Sequence, residues 1–137
     1  MSELARFSVS LDRALLNRFD ALVEQDGYPT RSKAIVDLIG SSLVREEWRS
    51  SSDVAGVIIM VYAHHKRNLT HELTHTQHDY HDLIVSTQHI HLDHDNCLEI
   101  VVVKGLPPRV MELSSRLKTL KGVKYCNLAA ASTGESL

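Results

Sequence analysis

His89 and His91 flank a single isoleucine, and Cys97 follows six residues later. All nine histidines of the 137-residue chain lie between His64 and His94, and five of them fall within Gln77–Cys97, QHDYHDLIVSTQHIHLDHDNC. Imidazole and thiolate donors suit a borderline-soft transition metal rather than magnesium or calcium. If Leu83 to Leu92 is a strand, alternate side chains share a face, and His89 and His91 point the same way. A short polar turn over Asp93 to Asn96 then returns the chain antiparallel and puts Cys97 on the neighbouring strand. A solvated histidine-rich strand is the bland alternative, but a His-x-His pair with a cysteine at this spacing favours a metal site.

The bulk numbers set limits on everything else. Charge is nearly balanced, with 15 basic against 17 acidic residues. Any affinity for nucleic acid must therefore come from local placement of basic groups and from repetition of the chain in an oligomer. No apolar run approaches the ~18 residues that a membrane span needs. The opening MSELARFSVS has neither an apolar core nor a cleavage site, so no signal peptide is expected. Two cysteines make no disulfide framework and suit a cytoplasmic protein whose thiols stay reduced. The length fits one ordinary domain or two small ones.

The elements that must carry the site come in two groups. In the first fifty residues, Arg6 to Leu11 (RFSVSL) alternates, with Phe7, Val9 and Leu11 on one face and Arg6, Ser8 and Ser10 on the other. Asp12 is a plausible N-cap for a helix to about Gln25, Gly27 ends it, and Thr30 begins a second helix. One strand and two helices cannot bury that much apolar surface, and a lone strand leaves an open edge. Two copies pairing their strands and packing four helices solve both problems. The outer face of that two-stranded ribbon then presents Arg6, Ser8 and Ser10 to the DNA major groove. The pattern resembles the ribbon-helix-helix family of DNA-binding proteins.

Arg45 to Asp53 (REEWRSSSD) reads as a linker, with Trp48 suited to packing between domains. Beyond it, Val57 to Ala63, Leu83 to Leu92, Leu98 to Val103 and Val123 to Ala129 read as strands. Helices are expected from a cap at Asn68 to about His78 and from Pro107 onward. The order β-α-β-β-α-β is ferredoxin-like. The expected fold class is thus α+β, with residues 1–48 as a DNA-binding domain and 54–131 as a second, metal-binding domain.

His71-Glu72-Leu73-Thr74-His75 matches the H-E-x-x-H zinc protease signature on an expected helix. A protease also needs a third ligand, an open coordination position and a cleft. A short polar helix beside a four-stranded sheet offers none of these, so His71 and His75 read as a solvated helix face. Cys126, in the last strand, reads as a small buried apolar residue.

With STQHIH at Ser86–His91, HDNCLEI at His94–Ile100 and TQHDYHDL at Thr76–Leu83, the chain resembles the nickel-responsive transcriptional regulators, the NikR family, from Arg6 to about Leu128. The resemblance implies a non-enzymatic repressor of nickel uptake genes that binds palindromic double-stranded operator DNA. It implies a homotetramer, a dimer of dimers, built on ACT-type regulatory domains. It also implies a nickel(II) site of His89, His91 and Cys97 with His78 from a facing subunit, and backbone DNA contacts from Lys66 and Arg67. Four strong-field donors suit planar nickel, whereas zinc prefers a tetrahedron. Glu99 shares strand parity with Cys97 and is expected to hydrogen-bond the ligands from behind. A regulator of the same architecture answering to copper, cobalt or zinc is the alternative, and an H-E-x-x-H hydrolase the remoter one. One departure stands out. Family members often hold a cation between acidic residues one turn apart at the start of the second helix, and here those positions are Lys33 and Asp37. An ammonium paired with Asp37 would replace the ion.

Overall fold

In the computed structural model, which describes residues 2–137, the run VAGVIIMVYA forms strand β1 (Val54–Ala63), and every second side chain along it is buried. It lies between β3 (Asn96–Gly105) and β4 (Val123–Ala130), antiparallel to both, and β2 (Ile84–His91) pairs with β3 on the outer edge. A continuous β-branched and apolar run suits such a central strand, hydrogen-bonded on both sides. Helix α3 (Leu69–Asp79) joins β1 to β2, and α4 (Pro107–Lys118) joins β3 to β4. The strand order β2-β3-β1-β4 with this connectivity is the ferredoxin-like arrangement. The third strand is longer than its apolar stretch suggests, because all ten residues of β1 pair with β3, from Val54↔Gly105 to Ala63↔Asn96.

One face of the sheet meets the two helices. Ile58, Met60, Val101 and Val103 pack with Leu69 and Leu73 of α3 and with Val110, Leu113 and Leu117 of α4. Pro107 opens α4, where its missing N–H is one of the helix's free donors anyway. Asn68 does precede α3, but its side chain makes no capping bond. It holds a left-handed turn at φ 65° instead, which asparagine tolerates. Val57, Ile59, Val61, Leu98, Ile100 and Val102 alternate onto the opposite face and are half-buried. Trp48 sits against the sheet: its indole N–H donates to the Ala131 carbonyl at 2.9 Å, and its ring fills the space where a side chain at Gly56 would stand.

The chain divides into two units, one ending at Gly40 and the other Ser41–Leu137. The division falls inside a helix, since α2 runs Arg31–Glu47 into the first third of the expected linker. In the first unit, the Asp12 carboxylate accepts from the Ala14 N–H at 2.9 Å and starts α1 (Arg13–Gln25). The Thr30 hydroxyl accepts from the Lys33 N–H at 3.1 Å at the start of α2. Arg31 binds Asp20 through two N–H groups at 2.7 and 2.8 Å. Arg6–Leu11 forms no ladder, because a strand needs a partner edge and the single chain offers none. Phe7 and Val9 are 69% and 58% exposed, and α1 buries no side chain.

Gly122, in the turn before β4, has φ +104°. A Cβ there would lie 2.7 Å from the Lys66 side chain and 2.9 Å from that of Leu69, whereas Gly27 at φ +72° faces open space. Urea unfolding should show Gly122→Ala costing about 1–3 kcal/mol more than Gly27→Ala, the extra loss coming from overlap rather than backbone strain. Equal losses would show that the turn does not bear on the Lys66 loop.

Candidate metal centre

Strand pairing brings the donors together. His91 stands opposite Cys97 and His89 opposite Glu99 across β2 and β3, while Tyr62 of β1 stands opposite Cys97 from the other side. Directly opposed residues project to one face of a sheet, and here it is the face with the helices. His64 lies two residues beyond Tyr62 and so shares its parity. Its N–H donates to the Asp95 carbonyl at 2.7 Å, which anchors it beside the β2–β3 turn. The result is a group of four: the ligand atoms of His64, His89, His91 and Cys97 all lie within 4.8 Å of one another. The Cys97 sulfur is 3.2 Å from Nδ1 of His64 and 3.5 Å from Nδ1 of His91. It is fully buried and in no disulfide.

A second layer holds His89. Its Nδ1 lies 2.8 Å from the Tyr62 hydroxyl. Burial, followed by the charges of Glu99 and Cys97 and a hydrogen bond to Glu99, pushes Tyr62 well above the ordinary phenol range. The phenol therefore keeps its proton and shares one hydrogen bond with Nδ1 of His89. With Nδ1 engaged by Tyr62, Nε2 is the His89 nitrogen left to face a metal. Glu99, 9% exposed, also accepts from the Gln77 amide at 3.2 Å, so α3 is tied to the back of the site. Tyr62 was not singled out from the sequence, where it reads as one more apolar residue of β1.

The electrostatics suit a transition metal. Burial, helped by the neighbouring imidazoles of His65, His91, His89 and His94, lowers His64 and keeps it a neutral donor. Burial first, then the carboxylates of Glu99 and Asp93, push the Cys97 thiol up. A cation that takes the thiolate must displace this proton. Imidazoles around one buried sulfur fit a borderline-soft transition-metal ion and not a hard one.

The remaining expected residues fall elsewhere. His78, near the end of α3, is exposed, stacks on His81 at 5.7 Å and stands outside the four-donor group of its own chain. His71 and His75 stack at 6.3 Å on the exposed side of α3, and among the described residues no third donor joins them. His65, His94 and Asp95 form a second, wholly exposed group. Cys126 is buried, its thiol directed at the Ser114 carbonyl at 3.8 Å. Lys66 and Arg67 are exposed in the loop before α3, and Arg6, Ser8 and Ser10 are exposed ahead of α1. Lys33 and Asp37 do pair, at 2.6 Å.

Tyr62→Phe removes the hydroxyl and keeps the ring. Nickel affinity, measured by competition with a chelator, should fall about 10–100-fold as His89 loses its orientation. An unchanged affinity would dismiss the Tyr62 relay.

Residues 55–131 match the family described as NikR C terminal nickel binding domain. Proteins assigned as nickel-responsive regulators resemble the chain over nearly its whole length. That of Syntrophus aciditrophicus is 50% identical over 135 residues, 98% of each chain. That of Chlorobaculum parvum is 52% identical over 132 residues, 96% of this chain and 98% of the other. That of Desulfovibrio desulfuricans is 50% identical over 137 residues, all of this chain and 99% of the other. Among solved structures, an uncharacterized protein from Thermotoga maritima covers 59% of this chain and all of its own, at a TM-score of 0.54 and 12% identity, a likeness of fold alone. These regulators are not enzymes, which removes the hydrolase reading of His71 and His75. The chain belongs to the nickel-responsive regulator family, and it binds nickel(II).

Proposed function

We propose that the chain is a cytoplasmic, nickel-dependent repressor of nickel uptake genes that binds palindromic operator DNA as a homotetramer. The observation that carries this reading is the split in the donor set. His89, His91 and Cys97 converge in one chain, while His78 stands exposed outside their group. On this reading His78 of the partner subunit completes the nickel ligands. Bound nickel supplies a bridge between two chains, and the equilibrium shifts toward the conformation in which that bridge forms. Tyr62 holds His89 ready, and Gln77 ties Glu99, the strand partner of His89, to α3.

Residues 1–48 act as the ribbon-helix-helix domain, with Arg6, Ser8 and Ser10 reading base edges. The exposed Phe7, Val9, Leu11, Leu15, Leu38 and Ile39 support it, since these apolar groups need a second copy to cover them. Residues 54–131 act as an ACT-type metal-binding and tetramer-forming domain, a role suited to the half-buried apolar face of its sheet. Lys66 and Arg67 add phosphate contacts. The Lys33–Asp37 pair stands where relatives of the family pattern place an ion, so affinity for DNA depends little on potassium.

Operator binding measured metal-free and with stoichiometric nickel tests this reading. Tight binding is expected only with nickel and should disappear with a chelator, whereas equal binding in both conditions would overturn it. The raised Cys97 thiol adds a sign. Below its titration each bound nickel releases that proton, so affinity for nickel should rise by about tenfold per pH unit and level off once the thiolate forms. A pH-independent affinity would place the sulfur outside the ligand set.

A further inference from the structure

The four-donor group contains a histidine that the shared nickel site does not use. His64 lies 3.2 Å from the Cys97 sulfur, closer than His91 at 3.5 Å. Its ring centroid is 4.9 Å from that of His91, and the His89 and His91 rings are also 4.9 Å apart. The four ligand atoms, all within 4.8 Å of one another, thus lie near the spacing of about 3.3–3.8 Å that bond lengths of about 2.0–2.3 Å impose around a tetrahedral zinc. His64 is also placed by the backbone, between the end of β1 and the Asp95 carbonyl. His89 and His91 come from β2, Cys97 from β3 and His64 from the end of β1, so the donors approach from three directions rather than along one line.

We propose that a single chain holds a complete four-ligand site of His64, His89, His91 and Cys97 for cations that favour a tetrahedron, zinc(II) and cobalt(II) above all. The inference rests on the reading that nickel takes His78 of the partner subunit as its fourth ligand. The two sites share three ligands and exclude each other. An ion that prefers a plane recruits the partner and bridges two chains, whereas an ion that prefers a tetrahedron is satisfied within one chain and leaves the partner free. His64 is then a specificity residue: it gives the wrong metals a place to bind that makes no inter-subunit bridge.

The test uses the full-length protein with cobalt(II) alone and nickel(II) alone, read by visible absorption, in the parent, His64→Gln and His78→Gln. The parent with cobalt should show the intense ligand-field bands of a tetrahedral thiolate site. His64→Gln should lose those bands yet keep the nickel spectrum, which also shows that the variant folds. His78→Gln should keep the cobalt bands and lose the nickel spectrum. Cobalt bands that survive in His64→Gln, vanish in His78→Gln or never appear in the parent would overturn the assignment of His64. Retention of the nickel spectrum in His78→Gln would instead overturn the shared nickel site, and the cobalt result alone would then decide the role of His64.

Discussion

The antiparallel register of β1 on β3 is the constraint on which the metal centre depends. It sets Tyr62 opposite Cys97 and Met60 opposite Glu99, while β2 sets His91 and His89 against the same two residues of β3. Side chains alternate along a strand, so a slip of one residue on either side of β3 would send half of this set to the opposite face. The register is held by the core: Ile58, Met60, Val101 and Val103 occupy the same parity as the site residues and are buried with Leu113 and Leu117 of α4. Apolar packing at one end of the sheet thereby positions polar chemistry at the other.

That end is polar in a particular way. Tyr62 bonds His89 and Gln77 bonds Glu99, so the buried polar groups behind the site have partners, as a low-dielectric setting demands. The thiol of Cys97 lies where burial and nearby carboxylates disfavour its charge. An arriving cation reverses that balance, because it supplies the positive charge that the thiolate lacks. Loss of the Cys97 proton thereby accompanies occupancy of the site.

The first unit has the opposite character. Its helices are capped and ion-paired locally, through Asp12, Thr30, and the Arg31–Asp20 pair, yet its apolar stripes face outward. Local interactions are enough to define these helices. They do not provide a core, and the alternating segment before them has no edge to pair with in one chain.

Short-range pattern made much of this legible from the residues alone. The period of two placed His89 and His91 on one face, the polar turn at Asp93–Asn96 carried Cys97 onto the adjacent strand, and the period of 3.6 marked α1, α2 and α4. The ferredoxin-like order followed from the succession of elements. What escaped was long-range. His64 meets Cys97 across 33 positions of sequence, and Tyr62 reaches His89 across 27. Both contacts arise because β1 lies beside β3 in one register among several that its uniform apolar run would allow. The H-E-x-x-H match shows the converse, a correct local spacing that no distant residue completes. Periodicity reports which face a side chain takes; which side chains meet there is decided by strand pairing, and pairing depends on the summed packing of the whole sheet and its helices.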